Sequence, residues 1–330
     1  MNRRRLIRML GIMAFVVFLF FVPVLFDNVY WVSILIITAI NALLATSLRT
    51  ISIVGHFSLG HVGFMLLGAY SSALLVLKLG ISFWAAFMMA GLLSALVAVV
   101  LGYPFLKVKG IYFAILTLLT AESFRLTAWN WRSLTGGSLG LMNIPSPSPI
   151  SIPAVGIVTF DSESSFYYLT IFIVLLSLLA LYRLEHSHFN FNWRAIRETD
   201  VLAQSVGMNV LWLKILNFAI ACFFAGIAGA LFAHYQRGLS ADASSRFGVL
   251  TSIYLLVYMV VGGENRFAGP IIGALLITIA SELSRSLAQY QPMMIGAIAI
   301  ITVFLFPEGI IGLPGRLIHW YRYKKNGMSA

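Results

Sequence analysis

A chain of 330 residues that is 60% hydrophobic and 10% charged is not an ordinary soluble domain, which carries about 25% charged residues to meet water. Its mean hydropathy of +0.93 makes the spanning helix of roughly 20 apolar residues the natural unit of length, and in lipid such runs satisfy their backbone only as helices. The net charge of +11 reads as a membrane protein fixing its orientation; no basic patch is interleaved with stacking aromatics, so nucleic acid is not expected as a partner.

In chain order, Arg3, Arg4, Arg5 and Arg8 introduce an apolar run at 6–26. Phe26, Asp27 and Asn28 offer no small-residue cleavage site, so this run is expected to stay as a first helix. Further runs at 30–48, 62–79, 82–106, 108–128, 166–184, 213–235, 247–262, 269–289 and 293–306 predict an all-α, polytopic integral membrane bundle. About ten transmembrane helices fit, or eight with a re-entrant segment. With the arginine-rich start inside, 16 of the 22 basic residues fall in inside loops, which predicts both termini in the cytoplasm.

Two loops are long. Residues 129–165 hold Gly136, Gly137, Pro145, Pro147, Pro149 and Pro153, which predicts an irregular extracytoplasmic cap. Residues 185–213 face the cytoplasm, where Asn192 as N-cap and Gly207 as terminator bracket a helix of about four turns. Arg194 with Glu198 and Arg197 with Asp200 are spaced to pair along it. Either this is a solvated loop helix, or it offers a rigid ridge to a soluble partner. Small residues at four-residue spacing (Ala90, Ser94, Ala98 and Gly102; Ala221, Ala225, Gly229 and Ala233; Gly269 and Gly273) predict close helix packing.

The chemistry of an enzyme is missing. There is no glycine-rich phosphate loop, no HExxH motif, and no Ser, His and acidic cluster. The lone Cys222 has no disulfide or CxxC partner. His186-Ser187-His188 read as solvated histidines, so no metal and no bound cofactor are expected. Polar groups at membrane depth are costly and so candidates for function. Glu122 and Arg125 lie one turn apart near an outer helix end and read first as a pair, with Glu122 also a pathway candidate. His56, Ser58, Gly60 and His61 sit in a glycine-containing break between two runs, either lining a solute pathway or forming a plain cytoplasmic turn. Asn41 and Glu282 read as helix–helix hydrogen-bond partners.

Arg194-Ala195-Ile196-Arg197-Glu198, then Gly207, Lys214 and Ala225-Gly226-Ile227-Ala228-Gly229-Ala230-Leu231, resemble the EAA-type coupling loop of the LivM-like branched-chain amino-acid permeases. Gly55-His56-Phe57-Ser58-Leu59-Gly60-His61, continuing to Gly68-Ala69-Tyr70, is similar to that family's GQxSLGH and GAY signature. Gly110-Ile111-Tyr112-Phe113-Ala114, Thr135-Gly136-Gly137, Gly262-Gly263 through Gly269-Pro270, and Pro307-Glu308-Gly309 follow in family order, from about residue 40 to 315. The chain departs where His56 replaces glutamine, where Asp200-Val201-Leu202-Ala203 replaces Glu-x-Ala-Ala, and where Asn190-Phe191-Asn192-Trp193 replaces a glycine–arginine pair.

The resemblance implies one transmembrane permease domain over 1–330, of type II ABC importer-like build, in a bacterial inner membrane. It implies a second related permease as heterodimer partner, two ABC ATPase subunits that use ATP, a periplasmic or extracellular solute-binding protein, and surrounding lipid. Arg194, Arg197, Glu198, Asp200, Ala203 and Gly207 would couple to the ATPases, and Thr135, Gly136 and Gly137 would help dock the binding protein. The implied cargo is a branched-chain amino acid, with urea, short amides or aromatic acids as further candidates. A stand-alone secondary transporter or solute channel is the alternative. It needs ion-coupling carboxylates or a constriction at mid-membrane, and only Glu122 and Glu282 could supply the former. A membrane enzyme would lack any nucleophile–base or metal set.

Overall fold

The computed structural model describes Phe20, Pro23 and residues 28–152, 156–306 and 308–312. The first expected helix, at 6–26, lies outside the described residues except at Phe20 and Pro23. The other expected spans all form helices. In chain order the helices are α1 (Val29–Ser52), α2 (His61–Leu79), α3 (Phe83–Phe105), α4 (Ile111–Asn130), the single turn α5 (Arg132–Thr135), α6 (Glu163–Glu185), α7 (His188–Glu198), α8 (Asp200–Ser205), α9 (Val210–Gln236), α10 (Val249–Gly262), α11 (Gly269–Leu283) and α12 (Gln291–Leu305). Local chemistry sets many of their ends. Asn28 caps α1 by accepting from the Tyr30 amide at 3.0 Å, and Asn209 caps α9 by accepting from the Trp212 amide at 3.1 Å, each satisfying one orphan donor. Gly80 ends α2 in the left-handed region at φ 64, where a side chain would be strained.

Among the described residues, seven helical segments are long and apolar enough to cross a bilayer. Helices α10 and α11 are not. Their 14 and 15 residues rise about 21–23 Å against a hydrocarbon core of about 30 Å. The apolar run expected to be helical through 289 leaves the α-helix at Leu283 and passes into a 3-10 segment, Arg285–Tyr290.

Helix α9 is the hub, packed against α1, α2 and α3. Two of the expected small-residue stripes enter these contacts, through Ser94 and Gly229, and Gly68 and Gly226, outside the stripes, complete them. A Cβ on Gly68 would stand 2.2 Å from the Gly226 carbonyl oxygen, one on Gly226 2.5 Å from Ser94 Oγ, and one on Gly229 2.0 Å from the Met65 carbonyl oxygen. The third stripe joins α10 to α11, where a Cβ on Gly273 would stand 1.8 Å from the Tyr258 carbonyl oxygen. Lipid removes the hydrophobic incentive for helices to associate, so this backbone proximity is what drives packing. Leucines at 92 and 96 of α3 and at 119 of α4 stay exposed on the outside of the bundle.

The 129–165 segment is more ordered than an irregular cap. It holds α5, a 3-10 turn at Gly137–Leu139, and strands β1 (Leu141–Met142), β2 (Ile150–Ile152) and β3 (Gly156–Val158). β1 pairs antiparallel with β4 (Gly238–Leu239), Leu141 facing Leu239, and β2 pairs with β3. The bundle is therefore helical with two small ladders added at the end opposite α7 and α8.

The packing predicts that Gly226→Val is overpacked by about 1–3 kcal/mol or more. Purified in detergent and heated with tryptophan fluorescence as readout, it should unfold several degrees below the wild type. Gly296→Ala, where an added Cβ meets nothing within 4 Å, should not.

Candidate functional site

At the end away from α7 and α8, the shortfall of the α10–α11 hairpin is made up by irregular chain, residues 240–248. Non-helical backbone at that depth has to be sheltered by protein or line a water-filled space, and it does both. Two cavities of about 700 and about 410 Å³ open there and share Ile37, Ser244, Ser245 and Arg246. The smaller one reaches down between α1 and the hairpin to Asn41, Thr278 and Glu282. Asn41 Nδ2 donates to Thr278 Oγ1 at 3.3 Å. Gln291 Nε2 donates to the Ser281 carbonyl at 3.1 Å, and Glu282 accepts from Arg285 at 3.1 Å and from the Tyr30 hydroxyl. The helix–helix role expected of Asn41 and Glu282 is met, but both also face open space.

The irregular segment is held from behind. Arg125 Nη1 donates to the Ala241 carbonyl at 2.8 Å, and its Nε donates to Glu122 Oε2 at 2.9 Å. Asp242 accepts from the Ala243 amide at 2.6 Å and from the Ser244 hydroxyl, and those bonds hold its carboxyl below the usual range. Glu122 is thus placed on Arg125 and not among the cavity residues. Thr135 and Gly137 are buried. The Thr135 hydroxyl bonds the Ala128 and Trp131 carbonyls, and Gly136 and Gly137 turn the chain at φ 78 and 62 toward β1.

At the other end, the expected four-turn helix from Asn192 to Gly207 is two helices. α7 begins at His188 and stops at Glu198, Thr199 is extended at φ −158, and α8 runs from Asp200 to Ser205. Nor do the charges pair along the helix. Arg194 reaches Glu185 at 3.8 Å, Arg197 reaches Glu264 at 3.3 Å, and Asp200 holds Lys214 at 2.9 Å and Lys109 at 2.6 Å. Ties to four other parts of the fold replace a solvated pair one turn away, worth only about 0.2–0.5 kcal/mol, and the break at Thr199 lets both helices reach them. Burial alone would raise the Asp200 pKa, but the two lysines outweigh it and hold the carboxyl low. Trp193, Ile196 and Ala203 anchor the pair in a small core with Ile53, Val54 and Val210. Gly207 terminates α8 as expected, at φ 84. Phe191, Val201, Leu202 and Val206 remain exposed, so the pair presents an apolar ridge on an ionically tethered base.

His56, Ser58 and His61 are brought to this same end, all buried. Gly55 lies against Arg197, and a Cβ on Gly60 would collide with the Thr117 carbonyl oxygen at 2.2 Å. The Leu59 amide donates to Thr117 Oγ1 at 3.2 Å. Neither ring nitrogen of His56 has a hydrogen-bond partner among the described residues, and its ring lies 4.8 Å from that of Phe113. Burial first, then the nearby Lys214, pushes its pKa down to about 4, with Asp200 opposing and Lys109 assisting. Among the described residues no three His, Cys, Asp or Glu side chains gather as metal ligands.

The family model described as "Branched-chain amino acid transport system / permease component" matches residues 30–306. The chain belongs to this permease family. It is 30% identical to the high-affinity branched-chain amino acid transport system permease protein LivM of Salmonella typhimurium over 298 residues, 85% of this chain and 69% of that one. The Escherichia coli LivM matches to the same extent. The Escherichia coli LivH is 24% identical over 278 residues, 79% of this chain and 87% of that one. No solved structure matches the chain. A permease of this family is a multi-pass transport protein, so the two ends of the bundle, cavity and platform, are where its function is to be sought. The cavity is the part that motif reading missed. Its only sequence signal is Ser244-Ser245-Arg246, polar residues set directly against the apolar start of α10.

Two measurements test this geometry. Asp200→Asn leaves the buried Lys214 ammonium without its counter-charge and should cost about 2 kcal/mol, much of it recovered by also making Lys214→Met, in a double-substitution cycle of thermal stability. For His56 the sign follows from a folded pKa below the ordinary 6.5. Its contribution is complete above about pH 6.5 and is lost as pH falls toward about 4, because the unfolded chain takes up the proton first. His56→Gln should therefore reduce acid destabilisation over that window, by about 3 kcal/mol at most. Equal pH profiles in the two proteins would remove His56 as its source.

Proposed function

We propose that the chain is a LivM-type membrane subunit of an ATP-driven importer for branched-chain amino acids or related small solutes. The observation that carries this reading is the α7–α8 platform: an exposed apolar ridge whose charged flanks are tied to α6, α9 and the α10–α11 turn. A push on such a ridge is delivered to the transmembrane helices and not absorbed in a loop. ATPase subunits at the cytoplasmic face would engage it through Arg194, Arg197, Glu198, Asp200, Ala203 and Gly207. A related permease, of the kind LivH represents among the relatives, would complete the membrane pair. A periplasmic or extracellular binding protein would deliver solute to the other end, beside Thr135, Gly136 and Gly137. The protein sits in the bacterial inner membrane with both termini inside.

An open cavity at one end and tight packing around His56, Ser58, Gly60 and His61 at the other fit an outward-facing state. In the alternate state that packed stretch parts and lines the exit. Binding of ATP elsewhere can bias such a pair of states only through differential contacts, and the platform supplies them.

Affinity purification from native membranes in mild detergent should recover a second permease and two ATPases. Recovery of this chain alone, stable and without ATPases, would favour a stand-alone transporter. Gly207→Pro and Arg197→Glu should each abolish solute uptake in cells while membrane insertion, read by fractionation, stays intact. Normal uptake in both would take the platform out of the mechanism.

A further inference from the structure

Arg246 lines both cavities, and three other arginines on that end are committed elsewhere. Arg125 is held by Glu122 and the Ala241 carbonyl, Arg237 donates to the Asp161 carbonyl at 2.9 Å, and Arg285 pairs with Glu282. Arg246 makes no hydrogen bond or ion pair to any described residue. Yet the segment that carries it is stapled in place by Arg125 and by the Asp242 turn, so the guanidinium is presented to the cavity from a fixed base. Asn41, Thr278 and Glu282, the last already paired with Arg285, also line the smaller cavity, while Ile34, Ile37 and Leu250 give it apolar walls. Its volume of about 410 Å³ lies within the range of sites for small molecules.

Building on the importer reading above, we infer that this cavity is a transit site for a zwitterionic α-amino acid, with Arg246 receiving the carboxylate. A guanidinium matches a carboxylate with two parallel N–H donors. The ammonium group meets the polar lining of Asn41, Thr278 and Glu282, and the aliphatic side chain lies against Ile34, Ile37 and Leu250. An uncommitted cation selects a carboxylate-bearing solute over neutral urea or short amides, because desolvating the guanidinium against a solute without negative charge leaves it unpaired.

The test uses the complete transporter, this chain with its permease partner, ATPases and binding protein, in proteoliposomes, with leucine uptake and ATP hydrolysis measured in the same vesicles. Arg246→Ala should lower the leucine carried per ATP by tenfold or more, while ATP hydrolysis stimulated by leucine-loaded binding protein stays within twofold of wild type. Arg246→Lys, which keeps the charge and loses the fork, should fall between them. An unchanged leucine-to-ATP ratio in Arg246→Ala would overturn the site. So would a parallel loss of uptake and hydrolysis in Arg246→Ala and Arg246→Lys alike, which would place Arg246 in docking or assembly. Wild-type vesicles that take up no leucine with ATP would instead sink the importer reading, and this inference with it.

Discussion

The bundle depends on how closely the backbone of α9 approaches α2 and α3. Where Gly226 meets Gly68 and Ser94, and Gly229 meets Met65, no side chain larger than hydrogen fits at the glycines. In lipid the compensating attraction is dispersion between closely fitted surfaces, small per atom pair and lost quickly with a gap. A helix of 27 residues, about 40 Å long, is held along its middle by these contacts and pinned at both ends by polar ones. Asn217 donates to the Thr50 carbonyl at 2.9 Å near one end. Near the other, His234 bonds Ser72 at 3.0 Å and the Pro145 carbonyl at 2.8 Å. A helix fixed in this way moves as a rod. It links Lys214, on the platform side, to β4, which forms a wall of the larger cavity.

The α10–α11 hairpin is a second link between the same two places. Its turn is grasped from the platform end. Arg49 donates to both Glu185 oxygens at 2.8 Å and to the Glu264 carbonyl at 2.5 Å, and Arg197 of α7 pairs with the Glu264 carboxylate. Its open end, too short to cross the hydrocarbon alone, leaves the cavity. Glu264 therefore connects the α7–α8 platform to the pair of helices that bound the smaller cavity, with one backbone-to-backbone hairpin between. Coupling over this distance needs only that the hairpin have two seats, one for each state of the platform.

Much of this was legible in the sequence. Apolar runs located the spans because backbone in lipid has no other option, and the small-residue stripes located Ser94, Gly229 and Gly273 at the contacts because only small residues permit them, though not Gly68 and Gly226. The Glu122–Arg125 pair and the Gly207 terminator followed from spacing within a single helix. What spacing within a helix cannot see is a partner on another one, so Arg194, Arg197 and Asp200 were matched along their own helix and found their counter-charges on α6, the hairpin turn and α9. Strands of two or three residues are too short for alternation to register. The cavity escaped because one apolar run was read through to 289, across Ser284-Arg285-Ser286, the polar stretch at which the α-helix stops. Arg246, for its part, looked like any outside charge.

Two carboxylates at the platform, Asp200 and Glu185, share one arrangement. Asp200 lies between Lys214, 5% exposed, and Lys109, 70% exposed. Glu185 lies between Arg49, 4% exposed, and Arg194, 61% exposed. In each case a carboxylate holds one cation sheltered from water and another open to it. Losing a sheltered partner strands a buried charge and is costly, whereas an exposed pair is worth about 0–1 kcal/mol and is screened by salt. Motion is therefore directed to the exposed pairs. α7 can release Arg194 while Glu185 keeps α6 on α1, and α8 can leave Lys109 while Asp200 stays on α9. The exposed pairs join the platform to the α3–α4 turn and to α6, and the sheltered ones hold Asp200 to α9 and Glu185 to α1. Under the proposed coupling the platform would slip at the exposed pairs and keep its hold on α9.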